Sequence, residues 1–307
     1  MLSRTADNIY WMTRMIERAQ HIARLLEAAY RMEQLPGADA GWDPILTISG
    51  QIDGFKAKYD ELTSKNVLNF MIFDLDNPSS VFSCIKAGRE NARSERSALP
   101  EEMFESINAT WIEMQGLYYD GMEQTGFCEF FEWIKDRTEL FRGLTLSMMV
   151  YDEAFQFARL GTFVERADFT ARLLDVKYHI LLPPDSADKG LIDDYQWGEV
   201  LRSVGGGQAY RTIYRESPVP EKIIEMLIFS PIFPRSLLSA YTEIVTSLSA
   251  LKKDSVSLKI ASQEQAFLST STLSDILKQR SLHEFLTDFV GFTADLSDQI
   301  RKDFSGG

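Results

Sequence analysis

The stretch Ile16-Glu17-Arg18-Ala19-Gln20-His21-Ile22-Ala23-Arg24-Leu25-Leu26-Glu27 returns as Val164-Glu165-Arg166-Ala167-Asp168-Phe169-Thr170-Ala171-Arg172-Leu173-Leu174-Asp175, at an offset of 148 (165 less 17). An internal repeat predicts an architecture before any motif predicts a reaction. Around the first copy, Ile9, Met12, Ile16, Ala19, Ala23, Leu26 and Tyr30 step by three and four, the seam of a long helix packed on a partner helix. Phe157, Leu160, Val164, Ala167, Ala171, Leu174 and Tyr178 reproduce every step. The first helix is expected to begin with Ser3 or Thr5 as cap and to stop before Leu35-Pro36-Gly37. The second is expected to end at Leu182-Pro183-Pro184, where two prolines cannot continue it.

Fainter matches follow. Trp42, Leu46, Gly50 and Phe55 stand 155 positions before Trp197, Leu201, Gly205 and Tyr210. Val67 to Phe73 answers Ile223 to Phe229, with Pro78 over Pro234 and Ser80 over Ser236, at offset 156. The spacing predicts an all-α protein of two related helical halves, 1–148 and 149–307, in one compact bundle. Segments near 78–97, 101–120, 126–147, 193–216, 233–252 and 260 to the end, the last in two pieces, read as further helices. Loops are expected at Leu35 to Gly41, Thr63 to Asn66, Asp74 to Pro78 and Pro183 to Leu191.

The chain has 307 residues, 45% of them apolar, and 32 Lys+Arg against 45 Asp+Glu give a net charge of -13. That balance argues against nucleic acid, whose binding depends on neutralising phosphates, and against an anionic membrane surface. Ile223 to Phe233, the most apolar stretch, is interrupted by Glu225 and Pro231 and is too short to span a bilayer. With no apolar signal core at the N-terminus, the expectation is a cytoplasmic protein. Two cysteines, Cys84 and Cys128, are expected to be reduced.

On a helical wheel Glu17 and Arg24 share a direction roughly opposite the seam, while Arg18 lies among Trp11, Met15, Ile22 and Leu25. A guanidinium in an apolar sector needs an acceptor, and a carboxylate matches its fork. Near Glu165, Ala158, Gly161, Thr162 and Phe169 replace Tyr10, Thr13, Arg14 and His21, so Glu165 is expected to be the more enclosed of the two glutamates. Gly161 would let another backbone approach closely. Glu17, Arg18, Glu165 and Arg166 are expected to form one charged network where the long helices meet, with Arg14, Arg24 and Arg172 beside it. The plainer reading is structural salt bridges holding helices in register; the functional one is a cavity that binds an anionic or peptide-like ligand.

At these residues the chain resembles the bacterial alpha-E domain family, helical proteins with a Glu-Arg motif, usually in tandem. The matching runs are Leu2 to Met12, Ile16 to Ala19, Arg89-Glu90-Asn91-Ala92-Arg93, Leu160 to Asp168 and Arg172 to Asp175. Asp74-Leu75-Asp76-Asn77-Pro78-Ser79-Ser80 is similar to the family's Asp-Asn-Pro-Arg-Ser turn. Thr162 stands where the family tends to place an arginine, as Arg14 does in the first half. Ser79 replaces the turn arginine, and Phe233 replaces the turn asparagine while Arg235 is kept. The resemblance implies association with a peptide synthesis or modification system, alongside circularly permuted ATP-grasp carboxylate-amine ligases, transglutaminase-like proteins and an Ntn-hydrolase-type peptidase. It assigns no reaction to the domain.

Other chemistry finds little support. A carboxylate-bridged di-metal bundle needs Glu-x-x-His pairs, but Arg18, Val176 and Arg280 precede His21, His179 and His283 by three. Asp74, Asp76 and Asn77 lack an EF-hand's spacing and read as a turn capping the next helix. Gly205-Gly206-Gly207 has no Gly-Lys-Ser/Thr after it and reads as a break or a close-packing site, as Gly50 and Gly54 do. Arg89, Arg93 and Arg96, interleaved with Glu90 and Glu95, read as a solvated face or, second, as a dock for an acidic patch. Neither a cofactor nor a metal is indicated, and no hydrolase motif occurs. The reading favoured is a non-catalytic or accessory partner in a ligase-centred peptide-modifying system. The alternative is an enzyme, or a peptide or small-molecule binder, using a Glu/Arg network in a cavity between the repeats. Substrate and oligomeric state are not written in the sequence.

Overall fold

The computed structural model describes residues 1, 3–34, 41–180 and 189–304. Among them are sixteen α-helices, a π-helical turn at Asn69–Phe73, a 3-10 turn at Arg96–Ala98, and no strand. The chain is all-α. No helix among the described residues is long and apolar enough to cross a membrane. It divides into two compact units, Met1–Thr162 and Phe163–Gly307.

The first unit is built around α1 (Ser3–Glu33). Its seam is closed to solvent: Ile9, Met12, Ala19, Ala23 and Leu26 have no exposed surface. The helix on that seam is α5 (Val81–Ser94), which buries Val81, Cys84, Ile85, Gly88 and Ala92 at matching spacing. Gly88 makes the approach possible, because a methyl group there would come within 3.0 Å of Ile16 Cγ1. A second side of α1 packs on α8 (Phe127–Met148), and α6 (Glu101–Met114) packs on both α5 and α8. Smaller helices complete the unit: α2 (Asp43–Ile48), α3 (Ile52–Lys56), α4 (Ser64–Leu68) and α7 (Tyr119–Thr125). The junction between the units, at 162/163, falls inside α9 (Glu153–Ile180). The start of α9 lies against α1, where any side chain at Gly161 would collide with the Tyr10 carbonyl and Thr13 Oγ1.

The second unit holds the rest of α9, then α10 (Lys189–Ser203), α11 (Gly207–Tyr214), α12 (Pro220–Phe229), α13 (Leu237–Leu251), α14 (Val256–Thr270), α15 (Leu273–Gln279) and α16 (Leu282–Phe304). Helix α14 packs on α13 and α16, and the Tyr241 hydroxyl shares a 2.9 Å hydrogen bond with Thr293 Oγ1 between α13 and α16. In α9 the seam residues Leu160, Val164, Ala167, Ala171 and Leu174 are fully buried.

Several sequence expectations change. The helix expected over 193–216 breaks at Val204 to Gly206, with Gly205 at φ +64. The helix expected over 101–120 stops at Met114, and α7 starts at Tyr119. The C-terminal region holds three helices where two were expected, because Ser255, Thr272 and Ser281 each cap a new start. Thr63 to Asn66 is the cap and first turn of α4, the Thr63 hydroxyl accepting from the Asn66 amide. The stops expected at Pro36 and at Pro183-Pro184 lie outside the described residues.

Three local geometries recur at the sequence offsets. Gly50 (φ +66) and Gly205 (φ +64) end α2 and α10 in the same way. Gln51 N bonds to Leu46 O at 2.8 Å, and Gly206 N bonds to Leu201 O at 2.6 Å, the six-to-one closure of a left-handed helix stop. Ser80 and Ser236, both extended, accept from the amides of Ser83 and Ser239 to start α5 and α13.

Candidate functional site

Glu17 occupies one end of a charged ladder between α1 and α8. On α1 the positions Glu17, Gln20, Arg24, Glu27 and Arg31 step by three and four. On α8 Arg142, Glu139, Lys135 and Glu132 step back in the opposite direction. Glu17 Oε2 accepts from Arg142 Nη2 at 2.9 Å, and Gln20 Oε1 accepts from the same nitrogen at 2.7 Å. Gln20 Nε2 and Arg24 Nη2 both donate to Glu139 Oε1, at 3.1 and 2.9 Å. Lys135 Nζ donates to Glu27 Oε2 at 2.6 Å and pairs with Glu132 at 2.8 Å, while Arg31 bonds Glu27 and stands 3.8 Å from Glu132.

The signs explain why this ladder specifies one register. Moving α8 along α1 by one rung would set Glu17 against Glu139, Arg24 against Lys135 and Glu27 against Glu132. Like charges facing each other oppose every such slip.

The Glu17 side chain is 3% exposed, and its other oxygen lies 3.3 Å from His21 Nε2, one turn on. Burial disfavours the charged form of Glu27, but the hydrogen bonds and charges of Lys135 and Arg31 outweigh it and hold that carboxyl below the ordinary glutamate range. Arg14, also buried, lies over the Trp11 ring at 4.8 Å and the Tyr10 ring at 5.6 Å. Arg18 is half-buried.

In the second unit Glu165 and Arg166 are buried, with the Arg166 guanidinium 5.1 Å over the Phe163 ring. Glu165 was expected to be the more enclosed glutamate, yet its 4% exposure matches the 3% of Glu17. Polar neighbours on α1 did not imply water, because α8 covers that face. Arg172 Nε pairs with Asp168 at 2.9 Å along α9, and Thr170 Oγ1 bonds the backbone oxygen of buried Arg235 at 3.0 Å.

The secondary residues fall in two places. Asp74 accepts from Lys58 Nζ at 2.7 Å, and Asn77 is buried, giving Nδ2 to the Phe70 carbonyl and taking the Ser79 amide at 2.9 Å each. These residues form a turn, as the sequence suggested, but the cap of α5 is Ser80. On α5, Glu90 pairs with Arg89 and Arg93, both at 2.6 Å, and Arg89 Nε donates to Asn108. Asn91 is half-buried beside them, and Arg96 lies over the Phe104 ring. Glu95 departs from the solvated-face reading, since it is buried and accepts from Asn8 Nδ2 at 2.6 Å.

The ladder residues missed from sequence are Gln20, Glu27, Arg31, Glu132, Lys135, Glu139 and Arg142. Their signal was present, since each helix carries charge at heptad spacing with complementary order, but it becomes visible only when the two helices are aligned antiparallel. Among the described residues no group of three or more His, Cys, Asp or Glu is placed to hold a metal ion.

No curated protein matches the chain, nor does any solved structure. One family model does, Alpha-E, described as a predicted alpha-helical domain with a conserved ER motif, and it matches residues 1–304. Glu17-Arg18 and Glu165-Arg166 are the two Glu-Arg pairs of the repeated stretch. With essentially its whole length matched, the chain belongs to the Alpha-E family.

Proposed function

We propose that this chain is a non-catalytic partner in a bacterial, cytoplasmic system of peptide synthesis or modification. The system is built around a circularly permuted ATP-grasp carboxylate-amine ligase, with transglutaminase-like proteins alongside. One observation carries the non-catalytic part of the reading. A general acid or base must reach its substrate, and Glu17, the glutamate of the first Glu-Arg pair, is 3% exposed with both oxygens engaged by Arg142 and His21. Its setting is that of a helix-register element.

Surface composition supports contact with another protein. Leu146, Met148, Val150 and Tyr151, from the end of α8 to the start of α9, are 45–77% exposed. The test is co-purification of the full chain with an ATP-grasp ligase partner and measurement of ligation with and without it. The expected result is a stable complex and a changed ligation rate. A partner that neither binds nor changes rate would defeat the proposal.

A further inference from the structure

Helices α11 and α12, the turn after α12 and the α14–α15 joint line a cavity of about 370 Å³, largely open to solvent, within the second unit. Its size lies in the range of small-molecule sites. Ile213, Phe229, Ile232 and Leu273 give it apolar walls, and Tyr214 and Glu225 supply polar groups. Ile232 is 73% exposed at the rim, too open for a core residue and placed to cover an occupant.

The lining of the cavity carries one formal charge, that of Glu225. Lys222 is the neighbouring cation, and it is already paired with Glu216 at 2.5 Å while lying 5.6 Å from the centre of the Tyr214 ring. Lys222 also feels the charge of Glu225, which is the one charged residue among those lining the cavity. Tyr214 responds to the same field. Burial first, then the charges of Glu225 and Glu216, push its hydroxyl above the usual phenol range, so it stays neutral and able to hydrogen-bond.

The first unit fills the matching positions differently. Asp74 and Asp76 stand 156 positions before Ser230 and Ile232 (230 less 74, 232 less 76). There Lys58 reaches Asp74 at 2.7 Å and Asp76 at 3.5 Å and ties the turn to α3's end. In the second unit a serine and an isoleucine replace the two aspartates, and a cavity stands beside the turn.

We propose that this cavity binds a small organic cation, a flat apolar body carrying one ammonium group. The apolar body lies against Ile213, Phe229, Ile232 and Leu273, and the ammonium faces Glu225, with the Tyr214 hydroxyl as a second oxygen partner. The site is separate from the Glu17 ladder and does not depend on the ligase reading.

The experiment titrates the isotopically labelled full chain by NMR with three probes of one shape: 2-phenylethylammonium, 2-phenylethanol and 3-phenylpropanoate. Probes this small are expected to bind with Kd on the order of millimolar. The ammonium should bind about two- to five-fold tighter than the alcohol, as expected for a solvent-accessible ion pair, with the carboxylate weakest. Shifts should centre on Tyr214, Phe229 and Ile232. Glu225→Gln should bring the ammonium and alcohol affinities together, and Ile232→Ser should weaken all three probes alike. Equal affinity for the three probes, shifts centred elsewhere, or a cation preference surviving Glu225→Gln would each overturn the proposal.

Discussion

The turns before α5 and α13 have the same length and the same serine cap, yet the backbone entering them differs. In the first unit the Asp74 amide reaches back five residues to Asn69 O, a π-helical step, and leaves the Phe70 carbonyl to Asn77 Nδ2. In the second unit the Ser230 amide reaches back four residues to Met226 O. Met226 stands 156 positions after Phe70, and Phe233 stands 156 after Asn77. Phenylalanine has no donor to give, so the backbone must satisfy that carbonyl itself with an ordinary helical bond. One side chain, amide or phenyl, decides how the preceding helix ends. The Asn77 turn is tied to the preceding helix by a side-chain amide, whereas in the Phe233 turn Ser230 accepts from the Phe233 amide, Ser236 donates to the Ser230 carbonyl, and the phenyl ring is buried.

The largest test of that contrast is Phe233→Ala. Phe233 is 4% exposed, and truncation leaves a cavity, so urea unfolding should show a loss of about 3–5 kcal/mol. Next is Asn77→Ala, which strands the Phe70 carbonyl and the Ser79 amide. The expected loss is about 2–3 kcal/mol, and hydrogen exchange should rise first at Asp74 and Ser79. If Asn77→Ala leaves both exchange rates unchanged, the amide is not what holds the turn.

Acid should separate the units by a smaller amount. Glu27 has a folded-state pKa below its ordinary value of 4.5, so its contribution is present above that value and lost as pH falls through the folded pKa. Glu264 is the opposite case. Burial, only partly offset by Arg280, raises its pKa, so its contribution is present below 4.5 and lost as pH rises through the folded value. Between neutral pH and pH 4, exchange protection should weaken along α1 and α8 and strengthen around α14. Glu27→Gln should abolish the first change and leave the second.

The all-α fold was legible because its strongest signal is local. The seam from Ile9 to Leu26 and its copy from Phe157 to Leu174 need only helical spacing to be read, and Gly50 and Gly205 mark helix stops through backbone conformation alone. What α8 does was not, since Arg142 and Glu17 are 125 positions apart and nothing local says which helix lies over which face. The equal burial of Glu17 and Glu165 follows from that same long-range packing. The cavity beside Tyr214 depends on three segments, 213–214, 225–232 and 271–273, whose meeting no periodicity encodes.

In the proposed function Glu17 holds helices in register and performs no chemistry. Glu17→Gln tests it most directly when unfolding free energy and partner ligation rate are measured on the same fully folded sample. The prediction is a stability loss of about 1–3 kcal/mol from weakening a buried charged pair, with the ligation rate of the proposed ATP-grasp partner unchanged. A collapsed ligation rate with stability intact would contradict it.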